Sequence, residues 1–298
     1  VKNRRITGYV RNNNGGVPDN FHNYFVVEFD RDFTLARTWA GDNQPTNELA
    51  REGDHVGAVL SFKTRKGDKV HVRVASSFIS PEQALLNLRT ETGSDSFDTT
   101  QAKAKAAWEK ELSRIRVTDP DPDKVRNFYS SLYRMLQFPR VFYEKDATGK
   151  IVHYSPYDGK VHDGYMFTDN GFWDTWRAVF PFFALMYPEL DSQIMQGLVN
   201  TYKEGGWLPE WASPGYRNVM IGSNSANLIA DAYVNGVRGF DVETLYEAMI
   251  KNATTSEGRP KDNAGKGIWP GRPGGGENDN QPGSVPYAVA INKKADAE

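Results

Sequence analysis

The apolar pattern of this chain changes period once, near Pro81, and that change restricts it to a strand-built part followed by a helix-built part. Ahead of the change, NYFVVEFD (23–30), GAVLSF (57–62) and KVHVRVASSF (69–78) are short β-branched and aromatic runs. In the last of them Val70, Val72 and Val74 fall on one side and His71, Arg73 and Ala75 on the other. RKGDK (65–69) supplies a turn between two of the runs, and NNNGG (12–16) reads as a loop. Short strands joined by Gly, Asn and Asp turns predict an antiparallel β-sandwich, or part of one, over residues 1–98.

After Pro81 the spacing becomes helical. SPEQALLNLRTE and FDTTQAKAKAAWEKELSRI have helix-forming compositions, and a linker helix is expected over 99–118 with Thr100 at its N-cap. DPDPDKV (119–125) ends it, because each Pro disfavours helix at the residue before it. The segment 123–144 then places Val125, Phe128, Tyr129, Leu132, Met135 and Leu136 on one helical face, as a core-facing helix would. Further helices are expected at about 173–187, 190–204, 223–237 and 241–253, which describes an all-α domain of antiparallel pairs over 119–298. The stretch 258–284 is rich in Gly, Pro and Asn and reads as loop. Its GRPGGG lacks the preceding strand and following Lys-Ser/Thr of a phosphate cradle.

Several functions are disfavoured by composition. The formal charge of −2 is spread without a basic block, which argues against nucleic acid or an anionic membrane surface as partner. No apolar run approaches the roughly 20 residues of a membrane span, and Val1 begins within patterned sequence rather than a signal peptide. With no cysteine, there is neither a disulfide nor a thiolate metal site. His153 and His162 are not at metal-ligand spacing, so no self-contained metal site is expected, and no Gly-x-Ser-x-Gly elbow is present. Oligomeric state leaves no mark in the sequence.

The chemistry concentrates between residues 169 and 233. In GFWDTWRAVFPFF (171–183) a continuous helix would put Trp173, Trp176, Phe180 and Phe183 on one face and Asp174 and Arg177 at i, i+3 on another. Pro181 has no N–H to offer Arg177, so a kink or restart is expected there. Asp174 is then either one half of a surface ion pair or a carboxylate facing a polar cavity. The second reading gains from the flanking tryptophans, whose faces can pack on a sugar while the acid accepts from vicinal hydroxyls. EGGWLPEW (204–211) repeats this chemistry, with Trp207 and Trp211 as rings and Glu204 and Glu210 as carboxylates. Asp231 is either a helix-face residue or a buried hydrogen-bonding acid.

GFWDTWRAVFPFFALMYPE, YKEGGWLPEWASPGYRNVMIGSNSANLIADAYVNGV and FDVETLYEAM closely resemble the family-92 glycoside hydrolases, exo-acting α-mannosidases, in order and spacing. RITGYVRN, NYFVVEFDRDF and VPYAVAIN (285–292) add shorter matches. The resemblance implies a partial N-terminal antiparallel β-sandwich followed by the first part of an (α/α)6 toroid. It implies calcium-assisted, inverting removal of terminal α-linked mannose, α-1,2 in particular, from mannose-containing glycans including N-glycans, in the periplasm or outside the cell. Inversion requires an acid and a base with carboxyls roughly 6.5–9.5 Å apart. The family's acid Glu, base Asp and most calcium ligands are expected beyond residue 298. The residues carried over are Trp173 and Asp174 at the terminal-mannose subsite, with Arg177, Trp207 and Asn218 as pocket wall. GSNSAN (222–227) departs from family forms that carry His after Gly-Ser or Gly-Tyr. Two alternatives are a noncatalytic carbohydrate-binding remnant and a disaccharide phosphorylase of the same architecture. Phosphorylases of that kind carry a Trp-Asp-Thr-Glu style motif, whereas Thr175 is followed here by Trp176.

Overall fold

The computed structural model describes residues 1, 4–11, 16–217 and 224–255. The expected loop 258–284 and the VPYAVAIN segment lie outside them. Contacts divide the chain into two units, the first comprising Val1–Asn12 and His22–Glu111, the second Asn13–Phe21 and Leu112–Glu298.

In the first unit β1 (Arg5–Val10), β2 (Asn23–Phe29), β3 (Leu35–Ala40), β4 (Val56–Ser61) and β5 (Val72–Ser77) form two antiparallel sheets, ordered β1-β2-β5 and β3-β4. RKGDK does turn, with Asp68 N donating to Arg65 O at 3.1 Å. It joins strands of different sheets instead of closing a hairpin. Phe29, Phe33 and Phe62 meet with ring centroids 5.3–5.6 Å apart beside that crossing. In β5 the valine side is the open one: Val72 and Val74 are exposed, whereas Ala75 packs with Val26 against Ala84 and Leu88. The cover on that side is α1 (Pro81–Asn87), whose N-terminus is capped by Ser80 Oγ accepting from Gln83 N.

The next helix, α2 (Phe97–Leu112), begins three residues before the expected Thr100 cap. Ser96 Oγ accepts from Thr99 N and so satisfies its first turn. None of its residues is buried.

The second unit opens with α3 (Pro122–Met135), capped by Asp121. The helix ends at Met135, one residue short of the last position of the predicted apolar face, Leu136, because Pro139 lies ahead and Phe138 before it is steered out of the helical region. Of its predicted apolar face only Leu132 is fully buried. Short antiparallel pairings follow: β6 (Arg140–Val141), β7 (Glu144–Lys145), β8 (Ile151–Tyr154), β9 (Val161–Asp163), β10 (Phe167–Thr168) and β11 (Asn170–Gly171). The chain then enters α4 (Phe172–Thr175), α5 (Val179–Met186), α6 (Pro188–Gly205), β12 (Trp211–Ala212), α7 (Asn224–Val234) and α8 (Val242–Thr254).

The helix expected over 173–187 is thus two pieces. Its break falls at 176–178, upstream of Pro181, and this leaves Pro181 in the first turn of α5, where a missing N–H costs no intrahelical bond. Phe172, Phe180 and Phe183 are buried, whereas Trp173 is turned outward. These phenylalanines join Met195, Leu198, Leu228 and Leu245 in one core shared by α4 to α8.

Candidate functional site

Two-residue strands set the site. β11 pairs antiparallel with β12, Asn170 opposite Ala212 and Gly171 opposite Trp211, and Phe172 N donates to Glu210 O at 3.3 Å. A side chain at Gly171 would meet Asp174 Oδ2 at 2.8 Å and the Trp211 ring at 3.1 and 3.2 Å. The Asp174 carboxylate therefore lies over the bare Cα of Gly171, beside the Trp211 indole. Asp174 is exposed, and no hydrogen bond or ion pair engages it among the described residues.

Arg177 does not pair with Asp174. The helix has ended by residue 177, and the Arg177 guanidinium folds back to donate to Trp173 O at 2.5 Å. It lies 4.7 Å from the Trp173 ring centroid and 4.8 Å from that of Trp176. Stacking of this kind is worth roughly 0.5–1 kcal/mol at an exposed position, and it fixes the indole while covering part of it. Trp173 retains 36% exposure, against a half-buried Trp176. One surface thus presents an indole, a free carboxylate and a guanidinium, which supply a ring face, an acceptor and donors for a polyhydroxylated ligand.

The second motif is built differently from its expected form. Trp207 is 5% exposed, packed with Tyr216 and Tyr157 beneath Lys251 Nζ at 4.7 Å. Its ring is buried among the described residues. Trp211, four residues on, is the indole that shares the space over Gly171 with Asp174. Asn218 lies outside the described residues.

The two glutamates of EGGWLPEW are structural rather than presented to a ligand. Glu210 is buried and accepts from Asn224 N at 2.6 Å and Ser225 Oγ at 3.0 Å, tying β12 to the first turn of α7. Burial pushes its carboxyl well above the usual range, against the lowering effect of those donors. Glu204 accepts or shares a proton with buried His153, whose Nε2 lies 2.9 Å from Oε1. Because His153 Nδ1 lies 2.9 Å from the carbonyl of Gly164, which can only accept, that nitrogen carries a proton. His162 pairs separately with Asp158 at 2.9 Å.

Asp231 proves to be partly buried, with Oδ1 accepting from Asn235 Nδ2 at 3.0 Å. Among the described residues no group of three or more His, Asp or Glu is placed to hold a metal ion.

Residues 83–293 match the glycosyl hydrolase family 92 catalytic domain and residues 1–77 the family's N-terminal domain. A family GH92 inverting mannosidase from Bacteroides thetaiotaomicron is 46% identical, with a TM-score of 0.83 over 86% of this chain and 35% of that one. A family GH92 alpha-mannosidase of the same bacterium is 29% identical, with a TM-score of 0.74 over 87% of this chain and 36% of its own. An uncharacterized secreted glycosidase of Arthroderma benhamiae is 29% identical over 205 residues, which are 66% of this chain and 22% of that protein. The chain spans about a third of the solved structures and less of the curated relative. Antiparallel sheets followed by helices, both domain matches and the Trp-Asp-Thr segment agree: the chain belongs to glycosyl hydrolase family 92.

Proposed function

We propose that this chain carries part of the substrate pocket of an exo-acting α-mannosidase that removes terminal α-linked mannose, α-1,2 in particular, from glycans with inversion. The observation that carries the reading is the free Asp174 carboxylate held over Gly171 close to the Trp211 indole, next in the chain to the exposed Trp173. A hexose needs an apolar face and hydrogen-bond acceptors close together, and this surface supplies both. Among the similar proteins, one solved structure is a family GH92 alpha-mannosidase in complex with mannoimidazole. The first sheets and the helices are read as parts of a β-sandwich and an (α/α)6 toroid. The name of the Arthroderma relative, a secreted glycosidase, supports a periplasmic or extracellular setting. No helix among the described residues is long and apolar enough to cross a membrane.

In this reading Asp174 accepts hydrogen bonds from sugar hydroxyls, Trp173 and Trp211 flank the ring, and Arg177 holds Trp173. The acid, the base and the calcium ligands are assigned to residues outside those described. A second reading, a carbohydrate-binding remnant without turnover, draws on the burial of Glu204 and Glu210 inside internal hydrogen bonds. Calorimetric titration with α-1,2-mannobiose, and assay of released mannose with and without calcium, separate the two. Asp174→Ala should abolish binding while leaving the circular dichroism spectrum unchanged, since Asp174 is exposed. If the folded variant binds mannobiose as tightly as the parent, the pocket is wrongly placed.

A further inference from the structure

Beneath the candidate site lies a cavity of about 10 Å³ lined by Asn170, Tyr157 and Thr201 together with apolar side chains including Phe172 and Leu198. Asn170 is 3% exposed, and neither its Oδ1 nor its Nδ2 has a hydrogen-bond partner. Tyr157 Oη, beside the Thr201 side chain, is likewise buried without a bond of normal geometry. Thr201 Oγ1 lies 3.5 Å from Met166 Sδ and beside the Tyr157 hydroxyl. Buried amides and hydroxyls without partners are costly, and native structures satisfy nearly all of them with protein or water. Apolar cavities stay dry, whereas a polar one of about 10–15 Å³ holds one water if it offers two to four partners. This cavity meets both conditions with Asn170, Tyr157 and Thr201.

We propose that a single water molecule is bound in this cavity, bridging the Asn170 amide to the Tyr157 and Thr201 hydroxyls as a fixed element of the fold. It joins three segments that build the site: β11, which leads into Trp173 and Asp174, the last turns of α6, which lead into Trp207, and the turn after β8 that carries Tyr157. A water with three such partners exchanges slowly and holds β11 in register beneath the Asp174 surface. The inference does not rest on the mannosidase reading, because it concerns only the polar groups that face the cavity.

The test is oxygen-17 magnetic relaxation dispersion, whose amplitude reports long-lived internal waters, on the parent chain, on Asn170→Leu and on the double variant Tyr157→Phe with Thr201→Val. Asn170→Leu, folded by circular dichroism, should lose the dispersion amplitude of one water. The double variant keeps the side-chain volumes and removes two of the three partners, so it should lose the same amplitude. A folded Asn170→Leu with the parent's amplitude overturns the proposal. If Asn170→Leu does not fold, a folded double variant with the parent's amplitude overturns it equally.

Discussion

Asp191 of α6 stands near Asp231 of α7 with both of its carboxylate oxygens buried and without a hydrogen-bond donor. Burial, and then the charge of Asp231, raise the Asp191 carboxyl from 3.8 to about 7. The raised value means that the folded chain keeps a proton that the unfolded chain releases. This contribution to stability is fully present below about pH 4 and is lost as pH rises through about 7. Linkage sets its ceiling at roughly 4 kcal/mol, and relaxation around the pair reduces it. Asp191→Asn resembles the protonated acid at every pH. Its melting temperature should match the parent's near pH 4 and exceed it by about 5 °C or more at pH 8. Parallel curves for the two proteins would show that Asp191 does not keep its proton in the folded chain.

Gly171 is the second test. Its backbone φ is −95°, so alanine is conformationally allowed there, and any effect comes from the methyl group itself. That methyl would lie 2.8 Å from Asp174 Oδ2 and 3.1 Å from the Trp211 ring. Asp174 can swing into solvent at little cost, whereas Trp211 is held by β12. Gly171→Ala should therefore cost about 1 kcal/mol or less in stability by urea denaturation, yet weaken mannobiose binding at least tenfold by calorimetry. Unaltered affinity would mean that the carboxylate position over Gly171 is not the binding position.

Much of this site could be read from the sequence, and the reasons for the rest are local. Trp173, Asp174 and Arg177 stand out as candidates in the sequence because three chemically distinct side chains fall within one helical turn of a strongly apolar stretch. Their arrangement was not, since it depends on the helix breaking at 176–178, and Pro181 alone marks a break without fixing which side of it yields. Trp207 and Trp211 are indistinguishable by composition. The pairing of β11 with β12 turns Trp211 toward Asp174, and strands of two residues have no periodicity to detect. Glu204 and Glu210 looked like ligands because acids beside tryptophans suit a sugar. Their partners, His153 and the start of α7, lie 51 and 14 residues away in sequence, and only tertiary structure brings them together. The change of period at Pro81 is a long-range pattern spread over many residues, and the structure has its longer strands before it and its longer helices after it. The part expected to be all-α, however, also holds seven strands of two to four residues, too short to leave a period in the sequence.

Glu210 should prove more costly to remove than an exposed carboxylate such as Asp174. Truncation leaves Asn224 N and the Ser225 hydroxyl without their acceptor inside the protein, at a helix N-terminus that already carries orphan donors. Glu210→Ala should lose about 2–4 kcal/mol, whereas Glu210→Gln, which keeps an acceptor oxygen, should lose about half as much. Amide hydrogen exchange supplies the local check. Protection at Asn224 and Ser225 should fall further than in α8, and a uniform loss across both helices would contradict a capping role.

Asp241 offers the opposite sign of pH dependence from Asp191. It caps α8 by accepting from Thr244 N at 3.1 Å and Thr244 Oγ1 at 2.7 Å, and it pairs with Lys203 Nζ at 3.0 Å. The Thr244 bonds first, and then Lys203, hold its carboxyl down at about 2, from 3.8. A depressed value contributes stability that is present above about pH 4 and lost as pH falls through about 2. The ion pair is 39% exposed on the Asp241 side, so solvent screening leaves the capping bonds as the main contribution. Asp241→Ala should therefore cost about 1 kcal/mol at neutral pH. That deficit should shrink towards pH 2, where the parent loses its cap as well. Raising salt should change it little, because hydrogen bonds to Thr244 are not screened as the Lys203 pair is. A deficit that vanished in high salt at pH 7 would assign the stabilisation to the ion pair instead.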